Sequence, residues 1–575
     1  MKRLWKYFRG YGKECILGPL FKLLEASFEL MIPLVVKHII DAGIPSKDHG
    51  SVLLLVGLMV LLGVVGMVCS ITAQFFSAKA AVGFAAGVKH AVFSHIRHLS
   101  YTEIDGLGTS TMITRMTSDI NTLQGGVNMS LRLFLRSPFI VFGAVVMAFT
   151  IDTKTALCFV ATVAALSVVV YGIMLITIPM HKKVQGKLDR ILSMTRSNLI
   201  GVRVIRAFGQ EEKEKKDFKE ANDGLVKLQL LSGRISALLN PVTFVLINAG
   251  TIWVIRSGSL AVDTGRLTQG SVVALINYMA QILVELIKLA NMIVQLTRAL
   301  ACAGRISSVL ETESSMREGE KTVEWNGGAC AISLNDVSMT YAGGSAPAVE
   351  GVTLQITPGS TVGIIGGTGS GKTSLVQLIP RFYDAGKGTV LVDGTDVREY
   401  TYDSLRSRIA VVPQKAVLFA GTIRSNLRMG KKDATDEEMK EALRCAQALS
   451  FVEEKEGLDT AVAQGGKNFS GGQRQRLTIA RALVRHPGIL ILDDSASALD
   501  YATDAALRKS IRELPDAPTT IIVSQRAASI LHADRILVLD GGAVAGLGTH
   551  EELLRDCEVY REIYESQFKQ EDAHA

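Results

Sequence analysis

Six long apolar stretches in the first 300 residues constrain the possible folds of this chain more than any other feature. Each has about the 20 residues that an α-helix needs to cross a bilayer. They lie at 15–36, 52–76, 133–150, 156–180, 236–255 and 272–296. The whole chain of 575 residues is 48% hydrophobic, which is too apolar for an ordinary soluble protein. The sequence therefore predicts a six-helix all-α transmembrane domain that is embedded in a lipid bilayer.

Basic residues in the connections predict the orientation of these helices. Residues 1–14, 77–130 and 179–235 carry 5, 4 and 13 Lys or Arg, against 2, 1 and 1 in residues 37–51, 151–154 and 257–270. Since basic loops stay in the cytoplasm, both termini and the two long loops are expected there. We attribute the net charge of +7 to this multi-pass topology, because the chain has no basic patch typical of nucleic-acid binding.

The two long loops keep a helical pattern, so the spanning helices are expected to continue well into the cytoplasm. Segments 101–107 and 202–210 are candidate cross-helices at the loop tips. The basic start, 1–13, precedes an apolar stretch that contains charges and lacks a small-residue cleavage site, which favours a first spanning helix over a signal peptide. Seven scattered cysteines without CxxC pairs predict no disulfide framework.

Several ionisable residues lie inside the predicted spans. They are Lys22, Glu25, Glu29, Glu285 and Lys288. Charged groups in a membrane need a partner or a wet cavity. Their i, i+3 and i+7 spacing lets each set neutralise itself on one helix face. A substrate-facing acidic site in a central cavity is the alternative, and the sequence leaves both open.

A glycine-rich loop organises the second half of the chain. It consists of Gly366, Gly367, Thr368, Gly369, Ser370, Gly371, Lys372 and Thr373, between the apolar run 361–365 and a helical pattern that begins near Ser374. The glycines let backbone N–H groups close on phosphate oxygens, and the helix N-terminus adds partial positive charge. Lys372 is expected to reach the β- and γ-phosphates of ATP, and the Thr373 hydroxyl to bind Mg²⁺.

A change of composition marks the boundary between the two halves. Residues 301–330 are polar and charged and contain Gly327 and Gly328, as a linker would. Residues 331–575 alternate strand-like and helical patterns, which favours an α/β fold. The predicted organisation is a transmembrane domain at 1–300, a linker at 301–330 and an α/β P-loop ATPase domain at 331–575.

Further motifs follow in a fixed order around this loop. They are Tyr341 before it and, after it, Gln414, the run Phe469, Ser470, Gly471, Gly472 and Gln473, then Asp493 and Asp500. With this ordered set, residues 331–575 resemble the nucleotide-binding domain of an ATP-binding cassette (ABC) transporter. The six-helix half resembles the membrane domain of an ABC exporter half-transporter, so the resemblance covers essentially the whole chain.

The resemblance implies a role for each motif. Tyr341 stacks on adenine, Gln414 lies near Mg²⁺ and the attacking water, and Asp493 holds Mg²⁺ through water. The signature, 469–473, acts across a dimer interface on the γ-phosphate held by the P-loop of a second chain. Asp500 lies in a loop that touches this partner.

Two positions depart from the family pattern at the catalytic step. Active ABC ATPases carry a glutamate after the magnesium aspartate, whereas this chain has Asp494, one methylene shorter. Gln525 replaces the switch histidine; it donates a hydrogen bond but cannot become cationic. We therefore predict that Mg-ATP binds and is hydrolysed slowly. The segment 461–466 also lacks the glutamate that often precedes the signature, which makes it a candidate for altered coupling to the membrane domain.

An impaired catalytic site beside a nearly standard signature is the pattern of the degenerate subunit in heterodimeric ABC exporters. The leading prediction is therefore one half of a bacterial heterodimer in the cell membrane that exports amphipathic or lipophilic small molecules. A second half-transporter is its expected partner, which would bring the glutamate and the histidine. Two alternatives stay open: a slow homodimeric lipid or peptide exporter, and a sensor protein in which ATP binding gates the membrane domain.

Overall fold

A computed structural model of the chain describes residues 2–46, 48–324 and 327–568. The chain forms two compact units. The first contains the residues up to 97 together with 109–312, and the second contains 98–108 together with the chain from 313 onward. A short piece of the apolar first half therefore belongs to the second unit.

The first unit is helical throughout its described residues. Its six long helices are α1 (Gly12–His38), α2 (His49–His98), α3 (Thr109–Ile151), α4 (Thr153–Ile200), α5 (Glu211–Asp263) and α6 (Gln269–Glu311). Two of them are composite: α3 contains Thr109–Thr114, Arg115–Asp119, Ile120–Leu133 and Arg136–Ile151, and α5 contains Glu211–Ala237 and Leu239–Asp263. Short helical segments lie at Lys2–Phe8, Ile39–Gly43, Ile44–Ser46 and Val202–Ala207.

Five described helices, α2 to α6, are long and apolar enough to cross a membrane. The remaining predicted span, 15–36, lies within α1, whose charged residues set it apart from the other five. With 50 and 48 residues, α2 and α4 have lengths of about 75 and 72 Å at about 1.5 Å per residue. Because a hydrocarbon core is about 30 Å thick, both helices continue well beyond it. Short helices also form at both expected loop tips, Tyr101–Leu107 and Val202–Ala207.

The helices of the first unit pack around a small apolar core. Phe159, Leu275 and Tyr278 are fully buried there, and the Tyr278 hydroxyl donates a hydrogen bond to the Leu30 carbonyl at 2.7 Å. In contrast, many large apolar side chains of this unit are exposed, including Leu53. Exposed apolar surface of this extent suits helices that are surrounded by lipid.

The last helix of the first unit is longer than the sequence predicts. It ends at Glu311, so residues 301–311 of the predicted linker 301–330 are helical. Two interactions account for this: Ile306 is fully buried, and the Arg305 guanidinium binds the Asp119 carboxylate at 2.5 Å. The charged run that suggests a linker, from Glu313 to Glu324, follows the helix and lies outside it.

The second unit contains twelve strands among its described residues. They are β1 (Ile332–Met339), β2 (Val349–Ile356), β3 (Thr361–Gly366), β4 (Lys387–Val392), β5 (Thr395–Asp396), β6 (Ile409–Val412), β7 (Gly421–Thr422), β8 (Ala461–Val462), β9 (Ile489–Asp493), β10 (Thr519–Val523), β11 (Arg535–Asp540) and β12 (Ala543–Gly548). They form sheets with the orders β2-β1-β4-β5, β12-β11-β3-β10-β9-β6 and β7-β8.

Helices cover these sheets. The described α-helices of the unit are Tyr101–Leu107, Lys372–Leu378, Tyr402–Arg408, Ile423–Leu427, Asp436–Cys445, Leu449–Glu453, Gly471–Leu483, Tyr501–Arg512, His550–Asp556 and Glu558–Phe568. Single 3₁₀ turns lie at Gly457–Asp459, Gln464–Gly466 and Ala527–Ser529.

The topology of the six-stranded sheet positions the candidate site. Strands β11, β3, β10, β9 and β6 pair in parallel, so their carboxyl ends meet at one edge. Three of them, β3, β9 and β10, are buried along their whole length. In open α/β sheets, ligands bind outside the carboxyl ends of the strands. The P-loop, the Asp493–Asp494 pair and Gln525 follow β3, β9 and β10 at this edge.

Candidate functional site

The loop between β3 and the helix Lys372–Leu378 has a backbone that only glycine fits at two points. Gly366 has φ +156°, and a Cβ there would lie 2.1 Å from the Leu539 carbonyl oxygen. Gly371 has φ +89°, and its Cβ would lie 2.3 Å from the Ala348 carbonyl oxygen. Side chains at these positions would push the loop away from the sheet, so the glycines allow a tight cradle of N–H groups at the helix N-terminus.

Lys372 lies inside this loop. Its ammonium donates hydrogen bonds to the carbonyl oxygens of Gly366 at 2.9 Å and Gly367 at 2.6 Å. Burial lowers the pKa of Lys372, against the opposing effect of the nearby Asp494 and Asp493 carboxylates. The contacts place a cation at the centre of the loop, where it can meet phosphate oxygens.

Asp493 ends β9 directly beside the loop. Its carboxylate is buried and accepts a hydrogen bond from the Thr373 hydroxyl at 3.0 Å. Burial raises the pKa of Asp493, against the opposing effect of the Thr373 hydrogen bond. A hydroxyl and a carboxylate at this separation present two oxygen ligands of the type that Mg²⁺ prefers.

Asp494 contacts Gln414, the glutamine that is expected near Mg²⁺ and the attacking water. The Gln414 side-chain amide donates a hydrogen bond to the Asp494 carboxylate at 3.0 Å. The backbone of Asp494 is left-handed, with φ +47°, and its N–H donates to the Val523 carbonyl at 2.9 Å. Few residues other than glycine adopt this conformation, although aspartate tolerates it. The strained turn directs the Asp494 carboxylate toward Gln414.

A cavity of about 350 Å³ joins these groups. It is lined by Tyr341, Thr368, Gly369, Ser370, Gly371, Lys372, Thr373, Gln414, Asp493, Asp494 and Gln525, together with Ala348, Ser374 and Val523. The structure thus brings the predicted P-loop, magnesium and catalytic residues to one place. Gly366 and Gly367 contact it through the carbonyl groups that accept from Lys372.

Tyr341 lies at the rim of this cavity with its ring partly exposed. Its hydroxyl is 2.9 Å from the Ser374 hydroxyl, and its ring meets the Tyr383 ring edge-on at 5.3 Å. Tyr383 in turn donates a hydrogen bond to Asp105 at 2.6 Å, and Tyr101 stacks near Phe382 at 4.9 Å. The helix Tyr101–Leu107 is therefore part of the surroundings of Tyr341.

The signature residues do not line the cavity. Ser470 caps the helix Gly471–Leu483: its hydroxyl accepts from the Gln473 N–H, and the Gln473 side chain accepts from the Ser470 N–H. The capping box satisfies the first N–H groups of the helix, where Ser470 and Gly471 are exposed and Gly472 and Gln473 are half-buried. Phe469 is buried against Phe451, with ring centroids 6.5 Å apart. An aromatic residue at this position therefore packs into the core.

Asp500 is likewise separate from the cavity lining. It caps the helix Tyr501–Arg512 by accepting hydrogen bonds from the N–H and hydroxyl of Thr503 at 2.8 and 3.1 Å. Gly472 packs close to this turn, since a Cβ on Gly472 would lie 3.0 Å from the Ala498 carbonyl oxygen. The signature helix and the loop before Asp500 are thus held together at an exposed surface.

The donor set fits a nucleotide-bound Mg²⁺ better than a metal held by the protein alone. Among the described residues, no three or more His, Cys, Asp or Glu are grouped so that they could hold a metal ion. Magnesium in nucleotide sites keeps several waters and uses one or two protein ligands together with phosphates. Thr373, Asp493 and Gln414 supply such a small oxygen set.

Sequence reasoning misses Arg526, directly after Gln525. Its guanidinium donates to the carbonyl oxygens of Ser497 and Leu499 at 3.3 and 3.4 Å. These contacts tie the turn after β10 to the loop before Asp500. No spacing rule reveals this link, because it depends on two loops that are brought together by neighbouring strands.

Arg136 on α3 is a second omission, this time in the first unit. Its guanidinium binds the carboxylates of Glu285 at 2.5 Å and Glu29 at 2.6 Å, and Glu25 lies 3.8 Å away. Ser137 also donates to Glu285, at 2.8 Å. The predicted pairs on one helix do form, Lys22 with Glu25 at 2.5 Å and Lys288 with Glu285 at 2.8 Å. They are parts of one network that joins α1, α3 and α6 through Arg136.

This network borders a cavity of about 380 Å³ between α1 and α6. Glu29, Asn277, Gln281 and Glu285 supply its polar lining. The charges therefore neutralise one another partly across helices, since Glu29 pairs with Arg136 on α3, and part of the network faces a polar cavity. A substrate-facing acidic site stays a prediction.

The two halves of the chain match two different families. Residues 15–286 match the family described as ABC transporter transmembrane region, and residues 349–497 match the family described as ABC transporter. Relatives also align over the full length. An uncharacterized ABC transporter ATP-binding protein of Mycobacterium tuberculosis is 38% identical over 98% of this chain and 97% of its own length. The ATP-dependent lipid A-core flippase of Escherichia coli is 28% identical over 99% and 98%.

A solved structure is similar in fold. The structure of a bacterial Atm1-family ABC exporter with ATP bound aligns with a TM-score of 0.80 over 97% of this chain and 98% of its own, at 23% identity. The chain therefore has the fold of that exporter, with a helical transmembrane domain followed by an α/β ATPase domain.

Proposed function

The chain belongs to the ABC transporter family, as an ATP-driven exporter with a fused membrane and ATPase domain, and we propose that it is the degenerate-site subunit of a heterodimer. The ATPase domain implies ATP binding and hydrolysis coupled to transport. The proposal adds that the cavity at the carboxyl edge of the sheet binds Mg-ATP and hydrolyses it slowly.

ATP binding is assigned to the P-loop and to Tyr341. The N–H groups of the loop 366–373 cradle the phosphates, and Lys372 moves from the loop carbonyls to the β- and γ-phosphates. The partly exposed ring of Tyr341 receives the adenine, while its hydroxyl bond to Ser374 holds the ring in place.

Magnesium is assigned to Thr373, Asp493 and Gln414. When bound, Mg²⁺ neutralises the charge that develops on the phosphate oxygens. Asp493 is kept close to Thr373 by their hydrogen bond. Gln414 and Asp494 orient the attacking water between them, since both line the cavity and contact each other.

Slow hydrolysis follows from Asp494 and Gln525 together. Asp494 reaches one methylene less far toward a water than glutamate does, and a displacement of about 1 Å costs about 10²-fold in rate. Gln525 lines the same cavity and can donate a hydrogen bond to the γ-phosphate, but it cannot carry a proton. The observation that supports this most is that both residues lie at the carboxyl ends of adjacent strands, on one cavity.

The signature is proposed to serve a partner chain. The helix start formed by Ser470, Gly471, Gly472 and Gln473 is well capped, partly exposed and outside the chain's own cavity, and the preceding Phe469 is buried. An N-terminus of this kind stabilises a γ-phosphate that is presented by another P-loop. Asp500, on a loop tied to the signature helix, is assigned the contact between the two sites.

The proposed substrate is an amphipathic or lipophilic small molecule. The polar cavity beside Arg136, with apolar helix faces around it, suits a ligand that has one polar end. A lipid substrate for a homodimer is the second candidate, and its support is the 28% identity to the lipid A-core flippase.

Orientation and boundaries belong to the same proposal. The excess of Lys and Arg places both termini and the ATPase domain in the cytoplasm of a bacterial cell. The domains are assigned to 1–300, 301–330 and 331–575, although helix α6 includes the first residues of the middle segment.

Steady-state ATPase rates test the proposal. The full chain is reconstituted in lipid alone, and also with a half-transporter that carries glutamate and histidine at the positions of Asp494 and Gln525. We expect near-silence alone and robust turnover of the pair. Robust turnover alone would overturn the heterodimer in favour of a homodimer. Silence of both preparations, with intact ATP binding, would favour the sensor alternative.

A further inference from the structure

A second cavity of the first unit lies far along the helices from their loop tips. It has a volume of about 540 Å³ and lies between the start of α4 and the end of α5. Its lining is apolar in the middle, from Leu157, Trp253 and Leu260, and basic at one end, from Lys154 and Arg266. All three apolar side chains are also exposed, so the cavity opens toward the surroundings of the helices.

The positive charge of Lys154 and Arg266 is only partly neutralised by neighbouring carboxylates. The Lys154 ammonium makes no ion pair within 4 Å among the described residues, and at longer range it interacts with the Asp152 carboxylate, whose pKa it helps to lower. Arg266 approaches only the Asp152 carboxylate, at 3.5 Å. That same carboxylate oxygen already accepts from the Thr155 N–H at 2.9 Å and from its hydroxyl at 2.6 Å. The lining therefore keeps a net positive charge with unused donors.

Their position is unusual for basic residues. The connections 151–154 and 257–270 contain only one Lys or Arg each, and these are Lys154 and Arg266. Both connections lie at the end of the bundle where basic residues are rare. The single cation of each connection lines the same cavity. This convergence indicates a binding site and not a general surface charge.

We propose that this cavity binds an anionic phospholipid from the surrounding membrane leaflet. Lys154 and Arg266 hold its phosphate, and one acyl chain lies along Leu157, Trp253 and Leu260. An indole at this depth suits the boundary between headgroups and acyl chains. The site is distinct from the polar cavity between α1 and α6, which other helices line.

The three tryptophans of the chain provide a direct test. They are Trp5, Trp253 and Trp325, so replacing the first and third by Phe leaves Trp253 as the only indole in the full chain. This variant is placed in nanodiscs that contain phosphatidylcholine and a minor fraction of phosphatidylglycerol with a dibrominated acyl chain. A matched disc carries the bromine on the phosphatidylcholine instead.

We expect brominated phosphatidylglycerol to quench Trp253 fluorescence more strongly than its mole fraction predicts. Each cation near the surface favours anionic lipid by about fivefold, so the double change K154Q with R266Q should reduce quenching to the phosphatidylcholine value. R256Q is the matched control, because it removes a cation from α5, close to the cavity, at a position that does not line it. The variant K154R should retain the preference.

Three results would overturn the proposal. They are equal quenching by the two lipids in the unchanged cavity, the same loss in R256Q as in the double variant, and displacement of the lipid by millimolar inorganic phosphate. The last result would identify a site for free anions. Circular dichroism of each variant shows whether the helices are intact before quenching is compared.

Discussion

At the scale of single residues, the proposed slow hydrolysis of ATP depends on Asp494. Its carboxylate is directed by a left-handed backbone and held by the Gln414 amide. The hydrogen bond holds the carboxylate beside Gln414 at the cavity wall. The residue is therefore well ordered, but it reaches less far than a glutamate.

Replacing Asp494 by glutamate should raise the ATPase rate of the chain. We expect an increase of about 10- to 100-fold if reach is what limits the rate, because misplacement of about 1 Å costs about 10². Steady-state phosphate release from reconstituted protein measures it. D494N, which keeps the shorter length and removes the charge, should lower the rate. An unchanged rate in D494E would assign the slow step to Gln525 or to the partner's signature.

The raised pKa of Asp493 predicts how the stability of the chain depends on pH. Because the folded chain binds this proton more tightly than the unfolded chain, the stability linked to Asp493 falls as pH rises above the ordinary aspartate value of 3.8. D493N removes the buried charge and keeps an oxygen for Thr373. Without nucleotide, we expect its melting temperature at pH 8 to exceed that of the unchanged chain by about 2–4 °C.

The pH dependence of the difference in melting temperature, and the response to Mg-ATP, distinguish the removal of the Asp493 charge from a nonspecific stabilisation by the substitution. The difference should be smaller at a pH close to the ordinary aspartate value of 3.8 than at pH 8, because the Asp493 carboxyl takes up its proton as the pH falls. Mg-ATP should stabilise the unchanged chain and have little effect on D493N. A variant that is equally stable at both pH values, or that keeps its full response to Mg-ATP, would contradict the role given to Asp493.

At the scale of elements, one arginine joins three helices. Arg136 links α3 to α1 and α6 through Glu29 and Glu285, and both Arg136 and Glu285 are almost fully buried. Removing one member of a buried ion pair leaves its partner without compensation, which costs about 3–5 kcal/mol. The network therefore sets the packing of these helices as well as lining a cavity.

R136Q should destabilise the first unit strongly. We expect a loss of about 3 kcal/mol or more, measured by thermal unfolding in lipid, since the Glu285 carboxylate loses its main partner. K288Q, at the more exposed end of the same network, should cost less than about 1 kcal/mol. The double variant R136Q with E285Q should recover part of the loss. Equal effects of R136Q and K288Q would refute this view of the network.

The sequence predicts those features whose contacts are formed between residues close together in the chain, and it misses those whose contacts join distant residues. The P-loop is found from local spacing, because strand, loop and helix are consecutive in the chain, whereas the roles of Tyr341 and Asp493 come from the resemblance to ABC transporters. Arg136 escapes notice because it lies near the edge of an apolar stretch and its partners are more than 100 residues away. The helical extension to Glu311 is also missed, since its burial depends on contacts such as that between Arg305 and Asp119, which lie 186 residues apart.

At the scale of the whole molecule, the signature is the segment that we propose to act on the nucleotide of a partner chain. Ser470 to Gln473 lie outside the cavity that Lys372 and Asp493 line. A change at the signature should therefore affect a partner's site and not nucleotide binding by this chain.

S470R tests this separation. We expect the variant to bind ATP as the unchanged chain does, measured with a fluorescent analogue, while turnover of the reconstituted pair is abolished because the arginine fills the place of the partner's γ-phosphate. The exposed change K467Q, three residues earlier, should leave both unaffected. Turnover that persists in S470R would show that the signature does not serve a partner.

The helix Tyr101–Leu107 has a consequence for any attempt to produce the ATPase portion by itself. It packs in the second unit through Tyr101 on Phe382 and through Asp105 on Tyr383, although more than 200 residues separate it from the rest of that unit. A fragment that begins at residue 313 would leave these rings uncovered beside Tyr341. We expect such a truncated protein to aggregate and to be poorly soluble. A synthetic peptide of residues 98–108 should restore its solubility.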